Sequence, residues 1–178
     1  RTVRFTGLNG SGAITTETVT LNGTTKVDTV NTYKRFIRLE VLTAGTGLAN
    51  AGTITTRQKT TTANIFCVVP IGNNHSSVCA YTIPTGYTGY LRSWNFAVSE
   101  GTTTPIAEFR FMIRQPGEVW QVNDTSVAGK AGSNFNIKDF PYFFDEPLLA
   151  GCDIRIDGDS DINNTVLIAG FQLVLVGS

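Results

Sequence analysis

Residues 105–123 read PIAEFRFMIRQPGEVWQVN, and this stretch decides the fold. Every second residue from Phe109 to Ile113 is large and apolar, and a period of two places these side chains on one face of a β-strand. The Pro-Gly pair at 116–117 predicts a turn, and residues 118–123 predict the strand that returns beside the first. The stretch therefore predicts a β-hairpin with one buried face.

The same alternation, bounded by Gly, Asn and Pro, recurs along the rest of the chain and predicts further strands. These strands are Arg1–Thr6, Ile14–Leu21, Thr24–Val30, Thr32–Leu42, Thr53–Gln58, Asn64–Pro70, Ser77–Pro84, Tyr87–Glu100, Cys152–Asp157 and Asn164–Val176. Asn22-Gly23 predicts a tight turn between the strands on either side of it, and Gly158–Asn163 is expected to close a final hairpin. No segment combines helical periodicity with capping signals.

The composition suits a β-protein that carries little charge. Of the 178 residues, 41% are hydrophobic and only 16% are charged, where about a quarter is usual. The 14 basic and 14 acidic residues cancel, and the basic ones are scattered singly, so no surface for neutralising nucleic-acid phosphates is expected. No apolar run is long enough for a membrane helix. Near-zero net charge leaves little repulsion between copies, which favours self-association.

These patterns predict an all-β, antiparallel β-sandwich of jelly-roll type, formed as a single domain over residues 1–178. One long irregular loop is expected around residues 124–150, where glycine, proline and clustered aromatic residues interrupt the alternation. Arg1 lies inside a strand pattern, which predicts a further segment before it. The expected core comprises Val3, Phe5, Val19, Phe36, Leu39, Val41, Trp94, Phe96, Val98, Phe109, Phe111, Ile113, Ile154, Ile156, Ile168 and Phe171, and Trp120 is also expected to pack inside.

Residues able to carry chemistry are few. His75 is the only histidine, so two-histidine metal sites are excluded and this loop residue is expected on the surface. The loop of Asp157, Asp159 and Asp161 could offer oxygens to Ca²⁺, but it lacks the glycine and glutamate of an EF-hand, and an Asp/Gly turn is the favoured interpretation. Scattered carboxylates could supply a glycosidase pair, but nothing in their spacing singles one out. We therefore expect no enzyme activity, no catalytic residue, no metal and no cofactor.

Aromatic residues are the stronger candidates for contact with a partner. Phe140, Tyr142, Phe143 and Phe144 lie in an irregular segment flanked by proline, and consecutive aromatic side chains cannot all face one core. Some of them are expected to dock on a neighbouring subunit, the alternative being a loop that folds back over its own sandwich. Tyr87 and Tyr90 are further candidates, either for a protein partner or for stacking on sugars.

The cysteines allow two interpretations. Cys67, Cys79 and Cys152 form no metal-binding spacing. Cys67 and Cys79 lie on successive predicted strands and could form a disulfide, but buried free thiols are favoured.

Three stretches carry a family resemblance. Residues 1–8 (RTVRFTGL) with 16–25 (TETVTLNGTT), residues 81–91 (YTIPTGYTGYL) and residues 169–176 (AGFQLVLV) resemble segments of virion structural proteins of tailed bacteriophages, many from aquatic hosts. The resemblance implies a virion component, and members of that group also carry a segment upstream of the first of these stretches.

The resulting expectation is a capsid decoration (cement) protein on the capsid exterior, which bridges subunits of the major capsid protein and forms a homo-oligomer, with a trimer as the guess. Two alternatives remain open at this point. One is a tail-fibre or receptor-binding domain that contacts host-surface glycan, and the other is a carbohydrate-active enzyme domain.

Overall fold

The computed structural model describes residues 1–99, 105–129, 136–139, 147–163 and 165–177, and all regular structure within these ranges is β. The strands are β1 (Thr2–Leu8), β2 (Ile14–Thr20), β3 (Arg35–Val41), β4 (Ile54–Arg57), β5 (Ile65–Val69), β6 (Ala80–Thr82), β7 (Tyr87–Ser99), β8 (Ile106–Arg114), β9 (Gln121–Gly129), β10 (Asn136–Asp139), β11 (Asp153–Ser160) and β12 (Val166–Gly177). Every pairing between them is antiparallel. None of the described residues forms a helix of the length and apolarity that a membrane crossing requires. The predicted all-β antiparallel class is confirmed.

The chain divides into two compact units, Arg1–Val78 and Cys79–Ser178. Each unit has its own cluster of buried apolar side chains. That residues 1–178 form a single domain stays a prediction.

The first unit contains the sheet β2-β1-β3 and the hairpin β4-β5. Its buried side chains come from β1, β3 and β5, with Phe5 at the centre. The Phe5 ring lies 4.4 Å from that of Tyr33 and 5.2 Å from that of Phe36, measured between ring centroids. Gly7 allows β3 to approach here, because a Cβ at this position would lie 2.5 Å from the Arg35 carbonyl oxygen.

The predicted hairpin around Asn22-Gly23 is wrong, because β2 pairs with β1 instead. The two strands are joined by a turn in which the Asn9 side-chain oxygen accepts the N–H groups of Ser11 and Ala13, each at 3.0 Å. Beyond one bridge between Asn22 and Thr25, residues 24–30 form no strand. Strand β1 matches all seven residues of β2, and a partner of that length outcompetes a local turn signal.

The second unit is a β-sandwich of two sheets, ordered β6-β11-β8-β9 and β10-β7-β12. Alternating residues of β8 face the opposite sheet, as the sequence predicted: Ala107, Phe109, Phe111 and Ile113 are buried. The rings of the two phenylalanines pack against aromatic rings of β7, and the ring centroid of Phe109 lies 5.1 Å from that of Phe96. Trp94 of β7 is fully buried, and its Nε1–H donates to Asp124 Oδ2 at 3.0 Å. The jelly-roll connectivity stays a prediction.

The predicted final hairpin around Gly158–Asn163 is also wrong. Strand β11 pairs with β6 and β8, whereas β12 pairs with β7 in the other sheet. The end of β11 is tied to the start of β8, because the Ile106 N–H donates to Asp161 Oδ1 at 2.8 Å and the Asp161 N–H donates to the Ile106 carbonyl at 3.1 Å. The chain therefore crosses between the sheets at this point instead of turning back.

The irregular loop expected around residues 124–150 is wrong in two places. Strand β9 continues to Gly129, because eight of the nine residues of β8 pair with it, with one register shift between Phe111 and Met112. Residues 136–139 form β10 beside β7. The predicted β8–β9 hairpin itself is confirmed, and Gly117 lies in its turn with a positive φ of 84°.

Most of the expected core is confirmed, and Ile168 is one exception. Leu167, Ala169 and Phe171 pack against the buried cluster, so alternation places Ile168 on the opposite face, where it is 46% exposed. Ile168 and Phe171 are three positions apart. Because this spacing is odd, they cannot share a face of a regular strand.

Candidate interaction surfaces

The outer face of the sheet β6-β11-β8-β9 is covered by paired charges. Alternation directs the polar residues of β8 and β11 away from the core. Arg114 Nε donates to Asp153 Oδ2 at 3.0 Å, and its Nη2 also contacts that oxygen. Arg155 Nη2 lies 2.8 Å from Asp157 Oδ2. With these carboxylates beside the arginines, the face carries no large field of one sign.

Trp120 stacks against this layer instead of joining the core, so the expectation that it packs inside is wrong. The guanidinium carbons of Arg114 and Arg155 lie 4.7 Å and 4.3 Å from the Trp120 ring centroid. Both distances are within the range of cation–π attraction. The signal in the sequence was the run of arginines at the outward positions of β8, which offered the ring a partner outside the core. We call Arg114, Trp120 and Arg155 the stacked cluster.

The sandwich also exposes apolar side chains on one edge strand of each sheet. Strand β9, at one edge, exposes Val122 by 51% and Val127 by 64%. Strand β12, at an edge of the other sheet, exposes Val166 by 53% and Val176 by 49%. These exposed apolar positions are candidates for contact with another protein.

The two tyrosines predicted to form a contact site do not lie together. Tyr87 pairs with Gly177 and Tyr90 with Val174, with no register shift between them. Because the two tyrosines are three positions apart, an odd spacing, they lie on opposite faces of β7. Tyr87 is 39% exposed at the start of the strand. The other four residues proposed for the interface, Phe140, Tyr142, Phe143 and Phe144, lie outside the described residues.

Two of the three aspartates considered as Ca²⁺ ligands are engaged with other groups. Asp157 is paired with Arg155, and Asp161 accepts the Ile106 N–H. Asp159 lies on β11 between them, opposite Glu108. Within the described ranges, no group of three or more His, Cys, Asp or Glu side chains is placed to hold a metal ion.

His75 and the described acids offer no obvious catalytic arrangement. The backbone of His75 pairs with that of Glu40 in the first unit, and its ring is exposed. Glu40 itself accepts from Arg4 Nε at 2.8 Å. In the second unit, Glu108 lies 3.7 Å from Arg110 across exposed surface.

All three cysteines are free thiols, as the favoured interpretation predicted. Burial raises the pKa of the Cys79 thiol to about 11, and burial together with the nearby Asp153 carboxylate raises the pKa of Cys152 to about 11. Burial also raises the pKa of Cys67. Protonated, covered thiols are poor nucleophiles.

We expect the native protein to react slowly with iodoacetamide at pH 8, since a thiol with a pKa near 11 is only about 0.1% thiolate there. Intact-mass measurement should show little alkylation before unfolding and three adducts in guanidinium chloride. A raised pKa stabilises the fold below the unfolded value of 9.0, and this contribution is lost as the pH rises toward 11. Rapid alkylation of the folded chain would contradict this assignment.

Comparison with known proteins finds no matching family model, no matching curated protein and no matching solved structure.

Proposed function

We propose that this chain is a virion structural protein of a tailed bacteriophage, and specifically a capsid decoration protein that bridges capsid subunits from the outside. The observation that carries the proposal is the resemblance of three stretches to such virion proteins. Residues 1–8 and 16–25 contain β1 and most of β2, residues 81–91 contain most of β6 and the start of β7, and residues 169–176 lie in β12. The similar stretches therefore belong to the strand framework of both units.

A decoration protein acts by contact, and the described surfaces suit that role. It binds the assembled shell better than separate subunits and so stabilises the shell by mass action, without a catalytic group. The second unit presents ion-paired charges on one sheet and exposed valine and isoleucine side chains on its strands. Charges that are already paired cost less to bury at an interface than isolated ones. The proposed partners are the major capsid protein and further copies of this chain.

The second candidate is a tail-fibre or receptor-binding domain. It is favoured by Tyr87, whose exposed ring at the start of β7 could stack on a host-surface sugar. The two candidates differ in abundance, because a shell offers many equivalent sites and a fibre only a few.

Copy number in purified particles tests the proposal. Virions that contain this chain would be analysed by quantitative mass spectrometry, with the major capsid protein and a tail-fibre protein of the same particle as internal standards. We expect a copy number comparable with that of the capsid subunit, and particles lacking the chain should release their genome at a lower temperature. Abundance that follows the tail-fibre standard would support the second candidate, and release of reducing sugar from a polysaccharide panel would contradict both.

A further inference from the structure

The longest of the described edge strands in the second unit is β12. One edge of β12 pairs with β7 along its whole length, from Val166 opposite Ser99 to Gly177 opposite Tyr87. No other strand among those described pairs with its second edge. Alternate residues of this twelve-residue strand therefore present backbone N–H and C=O groups that no described strand pairs with.

The composition of β12 provides none of the usual protection of an edge strand. Natural edges are commonly blocked by charged side chains, proline or a bulge in the edge strand. The sequence VLIAGFQLVLVG contains no charged residue and no proline. The one register shift, between Gln172 and Leu173, leaves the additional residue, Arg92, on β7. An open and uncharged edge of this length is available for pairing with a strand of another chain.

The side chains of β12 show the same incomplete burial. Its apolar run is the pattern of a strand covered on both faces, yet no residue of β12 is fully buried. Leu167, Phe171 and Leu175 face the core and remain partly exposed. On the other face Ile168 is 46% exposed. The cover that this sequence pattern requires is not supplied by the residues that the structure describes.

We propose that β12 pairs with β12 of a second copy of this chain, in antiparallel orientation about a two-fold axis. The two three-stranded sheets would then form one continuous six-stranded sheet. A two-fold axis at Phe171 or Gln172 would let almost the whole of both strands overlap and form about 10 backbone hydrogen bonds, roughly the number found in a typical protein interface. The result is a symmetric dimer, because this contact uses the same surface on both copies.

Charge favours a second copy over a charged partner. A strand without charge offers a charged partner no ion pairs, whereas two copies place uncharged edge against uncharged edge. The net charge of zero also removes long-range repulsion between copies. Strand β9 is a contrasting edge, because Asp124 lies within it and its Oδ1 accepts the Thr125 N–H at 2.8 Å.

The first test is the mass of the full chain by analytical ultracentrifugation over about a hundredfold range of concentration. We expect a dimer that dissociates on dilution. Gln172→Lys should weaken the dimer at least about tenfold, because a two-fold axis near the middle of β12 brings the two added charges together. Val127→Lys, which adds the same charge to an exposed position on edge strand β9, should leave the dimer unchanged. A wild-type chain that is monomeric throughout, or a dimer lost equally in both variants, would overturn the proposal.

Hydrogen exchange provides a measurement that does not depend on how the variants fold. In the wild type, the backbone amides of β12 should exchange more slowly as the protein concentration rises, and those of β9 should not change. Concentration-dependent protection elsewhere, without any at β12, would show that copies associate through another surface. Protection of β12 only when purified capsids are added would assign the edge to the capsid protein and overturn pairing between copies. Both measurements use the purified chain, so their outcome is independent of its copy number in virions.

Discussion

Replacing Phe111 with alanine should lower the free energy of unfolding by about 3–5 kcal/mol, the cost of a large cavity in a packed core. Phe111 is fully buried, and its ring centroid lies 6.0 Å from that of Trp94 and 6.2 Å from that of Phe171. It comes from β8 and both contacts come from the opposing sheet, so truncation removes packing between the two sheets. Urea denaturation followed by tryptophan fluorescence would measure the loss, because both tryptophans lie in this unit.

The matched control is Val119→Ala in the same unit, which the same fluorescence reports. Val119 is 75% exposed, so truncating its side chain should cost less than about 1 kcal/mol. Equal losses for the two variants would show that the core contact described for Phe111 does not form.

Replacing Arg114 with leucine should destabilise the protein by about 3 kcal/mol, because the substitution leaves a buried carboxylate without its cation. The Asp153 side chain is only 8% exposed, against 32% for Arg114. The Thr82 hydroxyl, which donates to Asp153 Oδ1 at 2.5 Å, would still contact the carboxylate but carries no charge. The variant also removes one of the two guanidinium groups over Trp120. Thermal and urea denaturation would both report the change.

Two further variants identify the cause of that loss. Arg110→Leu removes a guanidinium from the same strand, but its pair with Glu108 spans 3.7 Å across side chains that are 41% and 49% exposed. It should therefore cost less than about 1 kcal/mol. Adding Asp153→Leu to Arg114→Leu should recover much of the stability, since no unpaired charge then remains inside. Failure of this recovery would show that the loss comes from packing and not from the carboxylate.

Local alternation was sufficient wherever one face of a strand is buried and the other is not. Strand β8 is the clearest case, because Ala107, Phe109, Phe111 and Ile113 are buried and the residues that alternate with them are at least partly exposed. The same pattern led to the β8–β9 hairpin, since its turn residues lie between two strands that pair directly. It did not show that β9 and β10 continue into the supposed irregular segment, where the partner strand determined the length.

The sequence could also identify residues able to make contacts, but not which of them lie together. Tyr87 and Tyr90 are three residues apart, yet the strand places them on opposite faces. Trp120 reads as a core residue, and it stacks outside because Arg155 arrives from β11, more than thirty positions away in the chain. The stacked cluster depends on which strands are neighbours in the sheet, and no local pattern encodes that.

The amino-acid sequence by itself determined the β class and most of the residues that face inward along the strands, because both follow from residue type and a period of two. Only the tertiary structure decided the strand partners. Asn22-Gly23 makes its turn without a hairpin, and β11 and β12 follow one another yet belong to different sheets. The reason is that backbone hydrogen bonds are the same for every residue type, so the choice among partners depends on which long-range pairing buries the most apolar surface.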